Sequence, residues 1–290
     1  MNYEKSIAFL ARTEEERLLL AHTQDLLSRA GGGIAAADFL NLGEQYLVRA
    51  FLGQCGLSEG TDYVFFGGYP YAERRMLVLF PEYLSATFAY AQPAEETTDE
   101  DAAVTSAAAA VCAEEQLITA IAVSGSGYKT LTHRDYLGSL LALGIERTVI
   151  GDIAVTDDSH AVIFTKSAMA DFVCTALERI GADKVRCARL SADEAGKVPD
   201  TRRWETFSDT VASLRLDGIV AAAANLSRDR AKQLVSSGFV EVDFRLCDAP
   251  DTELSPGMYL SIRGYGRYLF DALDGTSKKG RLRIRLKKLI

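Results

Sequence analysis

Histidine, tryptophan and proline are scarce in this 290-residue chain, which holds three His, one Trp and six Pro. His22, His133 and His160 are scattered and build no metal-ligand spacing. The five cysteines, Cys55, Cys112, Cys174, Cys187 and Cys247, are odd in number, lie 13 or more residues apart and never form a Cys-x-x-Cys. That pattern argues against both a disulfide framework and a zinc ribbon. No apolar run approaches the length that crosses a bilayer; the longest, such as LITAIAV, suit buried strands. The first twenty residues carry acids and lack a signal-like apolar stretch. No G-x-G-x-x-G opens a helix after a strand, and in GSGYKT (125–130) Tyr128 stands between Gly127 and Lys129, where a phosphate-binding P-loop needs glycine directly before lysine. These absences predict a soluble cytoplasmic protein with no metal and no cofactor.

What is present is ordinary globular material, 48% hydrophobic and 25% charged, at a length suited to two or three domains. The net charge of −8 is unevenly spread. Residues 214–290 hold 14 Lys and Arg against 9 Asp and Glu, a net of +5, whereas 1–213 hold 18 against 31. An acidic body with a basic end suggests that the end meets a polyanion. A solvated basic tail is the plainer reading of the same numbers.

The predicted fold class is α+β in three parts. Residues 1–90 read as a helical and hairpin domain. Apolar positions from Glu4 to Ala30 recur at helical spacing, and Gly31–Gly33 end that helix. A helix through FLNLGEQYLVRAFLG follows, then strand, glycine turn and strand across 62–83. Residues 91–117, with seven acids and no Lys or Arg, read as an acidic linker containing an alanine run that suits a short helix. Residues 118–190 give the order βαββαβ, a ferredoxin-like sandwich of the RNA-recognition-motif (RRM-like) outline, with Ser167 as cap of its second helix. HAVIFTK lacks the basic-aromatic string with which such motifs stack bases. Residues 191–213 read as a connector.

In 214–243, Leu216, Ile219, Val220 and Ala223 make one buried helix face, with Asp217 in the first turn where the helix dipole favours a carboxylate. Ser227 is placed to cap a second helix that Gly238 ends, on which Arg228 and Lys232 share a face. The strand FVEVD turns at Phe244–Arg245. In the last strand Leu282, Ile284 and Leu286 alternate with Arg281, Arg283, Arg285 and Lys287, so apolar residues face in and a ladder of cations faces out.

This stretch resembles the S4-like (αL) RNA-binding domain, through Arg215-Leu216-Asp217, Ser227-Arg228 with Ala231, and Gly238-Phe239-Val240-Glu241-Val242-Asp243. The resemblance implies an RNA face of Arg215, Ser227, Arg228, Arg230, Lys232, Gln233 and Arg245. It continues to Arg263, Arg267, Lys278 and Lys279. Asp243 departs from the pattern, since an asparagine is usual there. GGYPYAERRMLVLFPEY, THRDYLGSLLALGIERTVIGDI and SIRGYGRYLFDALDGTSKKGRLRIRLKK make nearly the whole chain similar to the YlmH family of bacterial S4-domain proteins.

That resemblance implies a monomeric, non-catalytic RNA-binding factor that docks on ribosomal RNA of the large subunit near tRNA, in ribosome-associated quality control, with no membrane partner. Lys129, His133, Arg134 and Arg147 form a candidate second contact. Two other readings stay open. A pseudouridine synthase would use Asp217 as its nucleophile, although the small module sits at the wrong end of the chain for that class. A protein-interaction adaptor would place its partner surface on the acidic part. His133-Arg134-Asp135 point about 100° apart on a helix, which builds no single active site; Thr132 as cap with Asp135 closing a box is the favoured role.

Overall fold

The amino-terminal helix predicted over Glu4–Ala30 is two helices in the computed structural model, which describes residues 3–84 and 106–290. α1 spans Tyr3–Leu10 and α2 spans Glu14–Ala30. Thr13 makes the break. Its hydroxyl accepts the Glu16 N–H at 3.2 Å, and the Glu16 carboxylate accepts the N–H groups of Arg12 and Thr13. That capping box satisfies donors that a new first turn would leave orphaned.

Strand β1, Ala35–Leu40, follows where no strand was predicted. Its AAADFL sequence has little intrinsic strand preference, so tertiary pairing decides. Asn41 then caps α3, Leu42–Gln54, with Glu44 closing a second box. β2 is Tyr63–Phe66 and β3 is Arg75–Leu79; the antiparallel sheet runs β1-β3-β2. Leu20, Phe51 and Leu52 pack with Phe65, Leu77 and Leu79 on one face. The other face, with Phe39, Met76 and Val78, packs Cys112 of α4, Ser106–Glu114. The alanine run is thus helical; most of the acidic stretch, 91–105, lies outside the described residues.

β4 (Ile118–Gly125), α5 (His133–Ala142), a short 3-10 turn at Arg147–Val149, β5 (Ile150–Val155), β6 (His160–Lys166), α6 (Ser167–Ala176), β7 (Arg179–Ile180) and β8 (Asp183–Arg189) come next. The sheet order is β5-β6-β4-β8-β7 and every pair is antiparallel. Tyr136 and Leu140 of α5 and Val173 of α6 pack on Ile121, Val123 and Ile163. Ser167 does not cap α6 with its side chain. Lys166 holds the cap position, and the Ser167 hydroxyl instead hydrogen-bonds the Thr119 hydroxyl at 2.7 Å. The helix also stops earlier than predicted, because 179–180 pair with β8 around Gly181, whose φ is +59°.

Residues 191–213 are more than a connector. Ser191 caps α7, Ala192–Gly196, and Ala195 and Val198 are buried against Ala120, Val162 and Phe164. β9, Trp204–Val211, belongs to a separate sheet. The chain accordingly divides into two compact units, Met1–Thr201 and Arg202–Ile290, earlier than the boundary predicted at 214.

The second unit continues with α8 (Leu216–Ala224), α9 (Arg228–Ser236), β10 (Val240–Val242), β11 (Arg245–Leu246), β12 (Tyr259–Ile262), β13 (Gly266–Thr276) and β14 (Leu282–Leu289). Its antiparallel sheet runs β11-β10-β12-β13-β14-β9. Ile219, Val220, Leu234 and Val235 of the two helices pack on Leu260, Phe270, Ile284 and Leu286. The hairpin turn sits at Asp243–Phe244, one residue earlier than predicted, since Val242 pairs with Arg245.

Gly151 of β5 is overlaid by the Phe39 ring, so a β-carbon there would come within 2.6 Å of it. Gly151→Ala is expected to destabilise the first unit by about 1–3 kcal/mol through overpacking, measured by thermal denaturation of the full chain.

Candidate nucleic-acid interface

The Arg-Leu-Asp triplet builds the start of α8, and its aspartate is turned inward. Asp217 is 4% exposed. Its carboxylate accepts the Gly218 N–H at 2.8 Å and the Arg228 guanidinium at 3.1 and 3.3 Å, with Arg215 Nε at 3.6 Å. Burial works against the charged form, but the Arg228 hydrogen bond and charge and the Gly218 N–H outweigh it, so its pKa lies below the usual carboxylate value. The same pairing raises the pKa of Arg228, first through the hydrogen bond and then through the charge. Arg228 therefore ties α9 to the start of α8 as well as facing solvent. Ser227 is occupied as well: its hydroxyl accepts the Arg230 N–H at 3.3 Å as the cap of α9.

The remaining cations separate into three groups. Arg230, Lys232 and Gln233 are exposed on α9, where Arg230 donates to the Gln233 amide oxygen at 3.3 Å. Lys278 and Lys279 are exposed in the β13–β14 turn. Just beyond them Arg281 donates to the Thr210 carbonyl at 2.6 Å. Arg281 and Arg228 line a cleft of about 400 Å³ between the end of β9 and α8, together with Ser213, Gly218 and Asn225. Arg263 and Arg267 stand near the other end of β13, roughly 30 Å from that turn at ordinary strand rise. They lie over the rings of Phe239 and Phe244 at 5.5 and 5.9 Å.

Arg245 is half-buried and, by its pairing with Val242, takes the helix side of the sheet. The outward cation ladder of β14 is largely engaged: Arg285 pairs with Asp271 and Asp274, and Lys287 with Asp271. Two residues lining the cleft were not expected there: Arg281, named from the sequence only as one rung of the cation ladder, and Asn225, not named at all. The SKKGR turn held the signal for the first; the left-handed cap of α8 (Asn225, φ 52°) had none.

Asp243, the departure from the S4-like pattern, has a structural role. It sits at φ 46°, a conformation aspartate tolerates, and its carboxylate accepts the Tyr259 N–H at 2.9 Å.

In the first unit, the THRD…GDI motif resolves into architecture. Thr132 and Asp135 form a capping box at the start of α5. The Thr132 hydrogen bonds, chiefly, hold Asp135 below the usual carboxylate pKa. Asp152 accepts the N–H groups of Glu73 and Arg74 at 2.6 and 3.0 Å and the Tyr69 hydroxyl at 3.0 Å. Arg74 donates to the carbonyls of Ile150 and Phe39. Arg147 donates to those of Ile150 and Gly151 at 2.7 and 3.0 Å. Burial, followed by the Arg74 charge, lowers the Arg147 pKa to about 10. Arg147 thus holds the loop before β5, whereas Lys129, His133 and Arg134 are exposed. Desolvation and then Arg147 lower the His133 pKa.

The sheet face away from α5 and α6 is covered: Ala120, Val162 and Phe164 pack Ala195 and Val198, and Tyr69 stacks on Phe164 at 4.4 Å. Base stacking on the middle of that face is blocked by the chain itself.

Comparison with known proteins meets this geometry on both units. A family model described as "Putative RNA-binding domain in YlmH" matches residues 117–194, the five-stranded sheet with its helices. Ribosome-associated protein quality control protein P2 of Bacillus subtilis (strain 168) is 30% identical over 247 residues, spanning 85% of this chain and 84% of that relative. The chain belongs to the YlmH family, as the resemblance in its motifs implied. Cell division protein ylmH from Streptococcus pneumoniae, a solved structure, is similar at a TM-score of 0.45 with 17% identity, covering 65% of this chain and 98% of that one.

Arg228→Ala leaves the buried Asp217 carboxylate short of its main partner and is expected to cost about 1–3 kcal/mol. Because the native pKa of Asp217 is depressed, the stability it contributes is fully present above its unfolded value of about 4 and is lost as pH falls through the native value. The gap between wild type and variant in urea denaturation should therefore be full at neutral pH and close in strong acid.

Proposed function

We propose that this chain is a non-catalytic RNA-binding protein of the ribosome that serves quality control of stalled translation. Its second unit, an S4-like domain in this reading, docks on ribosomal RNA of the large subunit close to tRNA. The observation that carries the reading is the grouping of exposed Arg230 and Lys232 on α9, with the Arg228–Arg281 cleft and the Lys278–Lys279 turn in the same small unit. Residues 214–290 carry a net charge of +5 in a chain of net −8. Such a surface suits phosphates held by charge and shape. The relative's name supplies the ribosomal and quality-control context, and the family description supplies RNA as ligand.

A catalytic reading gains no support from Asp217. A nucleophilic carboxylate needs a free oxygen facing substrate, whereas this one is buried and engaged by Arg228 and Gly218. In the first unit Lys129, His133 and Arg134 form the second RNA contact; Arg147 supports them from within. In this reading the protein works as a monomer in the cytoplasm, where ribosomes are; no helix among the described residues is long and apolar enough to cross a membrane.

Two measurements test this. In gradients of cell lysate, the protein should co-migrate with large subunits at low salt and leave them at high salt; migration as free protein at both salts overturns the reading. With isolated ribosomal RNA, neutralising ~5 phosphates gives a slope of log K against log salt of about −3.5 to −4.5. Arg230→Ala and Lys232→Ala should each flatten it by about 1, and an unchanged slope in the double variant would remove α9 from the interface.

A further inference from the structure

The sheet of the second unit turns one face to α8 and α9. Residues alternate along a strand, so those between the buried ones point to the other face. In register order that opposite face carries Glu241 and Leu246 beside Ser261, Tyr259 and Arg267, and one residue further Arg263 donates its N–H to the Phe239 carbonyl at 2.9 Å. Phe239 is 38% and Leu246 54% exposed. The Phe244 ring lies 5.5 Å from that of Tyr259, and the Arg263 and Arg267 guanidiniums lie over Phe239 and Phe244.

Phe244 is the informative member. Asp243 and Phe244 form a two-residue hairpin turn with φ of 46° and 63°. Both central positions are left-handed, a geometry for which glycine is the preferred second residue. Asp243 is compensated by its bond to the Tyr259 N–H. Phe244 sets the β-carbon of a bulky residue where that carbon is penalised. An aromatic ring at a strained turn, half-exposed beside another ring and a guanidinium, points to use of the ring itself.

We propose that this face is a stacking platform for unpaired nucleobases of RNA. Flat neutral bases stack on the rings of Phe239 and Phe244, and guanidiniums add cation–π attraction. Arg263, exposed at the edge, meets a flanking phosphate. Glu241 in the middle of the face repels a phosphate track, which suits bases and disfavours the backbone of a duplex. The inference rests on the RNA reading above and narrows the ligand to looped or single-stranded segments. The face is distinct from the cationic face of α9.

The test uses the full chain and two probes: a stem-loop RNA with a fluorescent purine analogue in its loop, and a blunt duplex of the same stem. Phe244→Gly suits the turn and keeps the hairpin folded. It should weaken stem-loop binding about tenfold and abolish the fluorescence change of the loop base, while duplex affinity stays within about twofold. Phe239→Ser should reproduce the loss. Equal weakening toward both RNAs, or unchanged stem-loop affinity in both variants, overturns the platform alone. Failure of the unaltered chain to bind either RNA overturns the broader RNA reading with it.

Discussion

Asp152 is the group on which the first unit turns. One carboxylate receives two successive backbone N–H groups and a tyrosine hydroxyl from the GGYPYAERR loop, while Arg74 from that loop reaches back to carbonyls of β5 and β1. Charge-assisted bonds of this kind are stronger than neutral ones, and each donor here would otherwise need another partner. The three-stranded and five-stranded sheets are thereby fixed to one another. Gly151 and Gly68 permit the close approach: a β-carbon on either would meet Phe39 or Phe164 within 3 Å. The densest motif in the sequence is thus a hinge-pin between sheets, and the cations around it divide into Arg147, which serves that junction, and Lys129, His133 and Arg134, which face water.

Much of the fold was legible because periodicity and caps speak locally. The central sheet, α8 and α9 follow from apolar spacing, and Thr132 with Asp135 announces the start of α5. What stayed hidden depends on distant partners. β1 is made of weak strand formers and exists through pairing with β3. β9 looked like connector because its exposed, mixed residues gain order only against β14. The break at Thr13 was written in TEEE, but helical spacing on both sides masked it.

The candidate site was legible in composition more than in geometry. Counting cations marked 214–290 as the basic stretch, which falls inside the unit that begins at Arg202, yet charge alone does not say which cation is already engaged. Asp217 and Arg228 lie 11 positions apart and meet because α8 and α9 pack together against one sheet. Arg285 and Lys287 alternate outward as their pattern demands, but the acids of β13 stand beside them. The formal charge of this unit overstates what remains for a ligand, and the available cations lie at separate places on its surface.

The pairing of β9 with β14 has a consequence for the order in which the molecule is made. β9 leaves the ribosome before every other element of its sheet, and the strand that completes its hydrogen bonding is synthesised last, with Thr210 meeting Arg281 across 71 positions. Closing so long a loop is entropically unfavourable until the intervening hairpins have shortened it. During synthesis β9 therefore stays an unpaired segment after every element of the first unit has emerged. The second unit becomes complete only when translation has delivered β14.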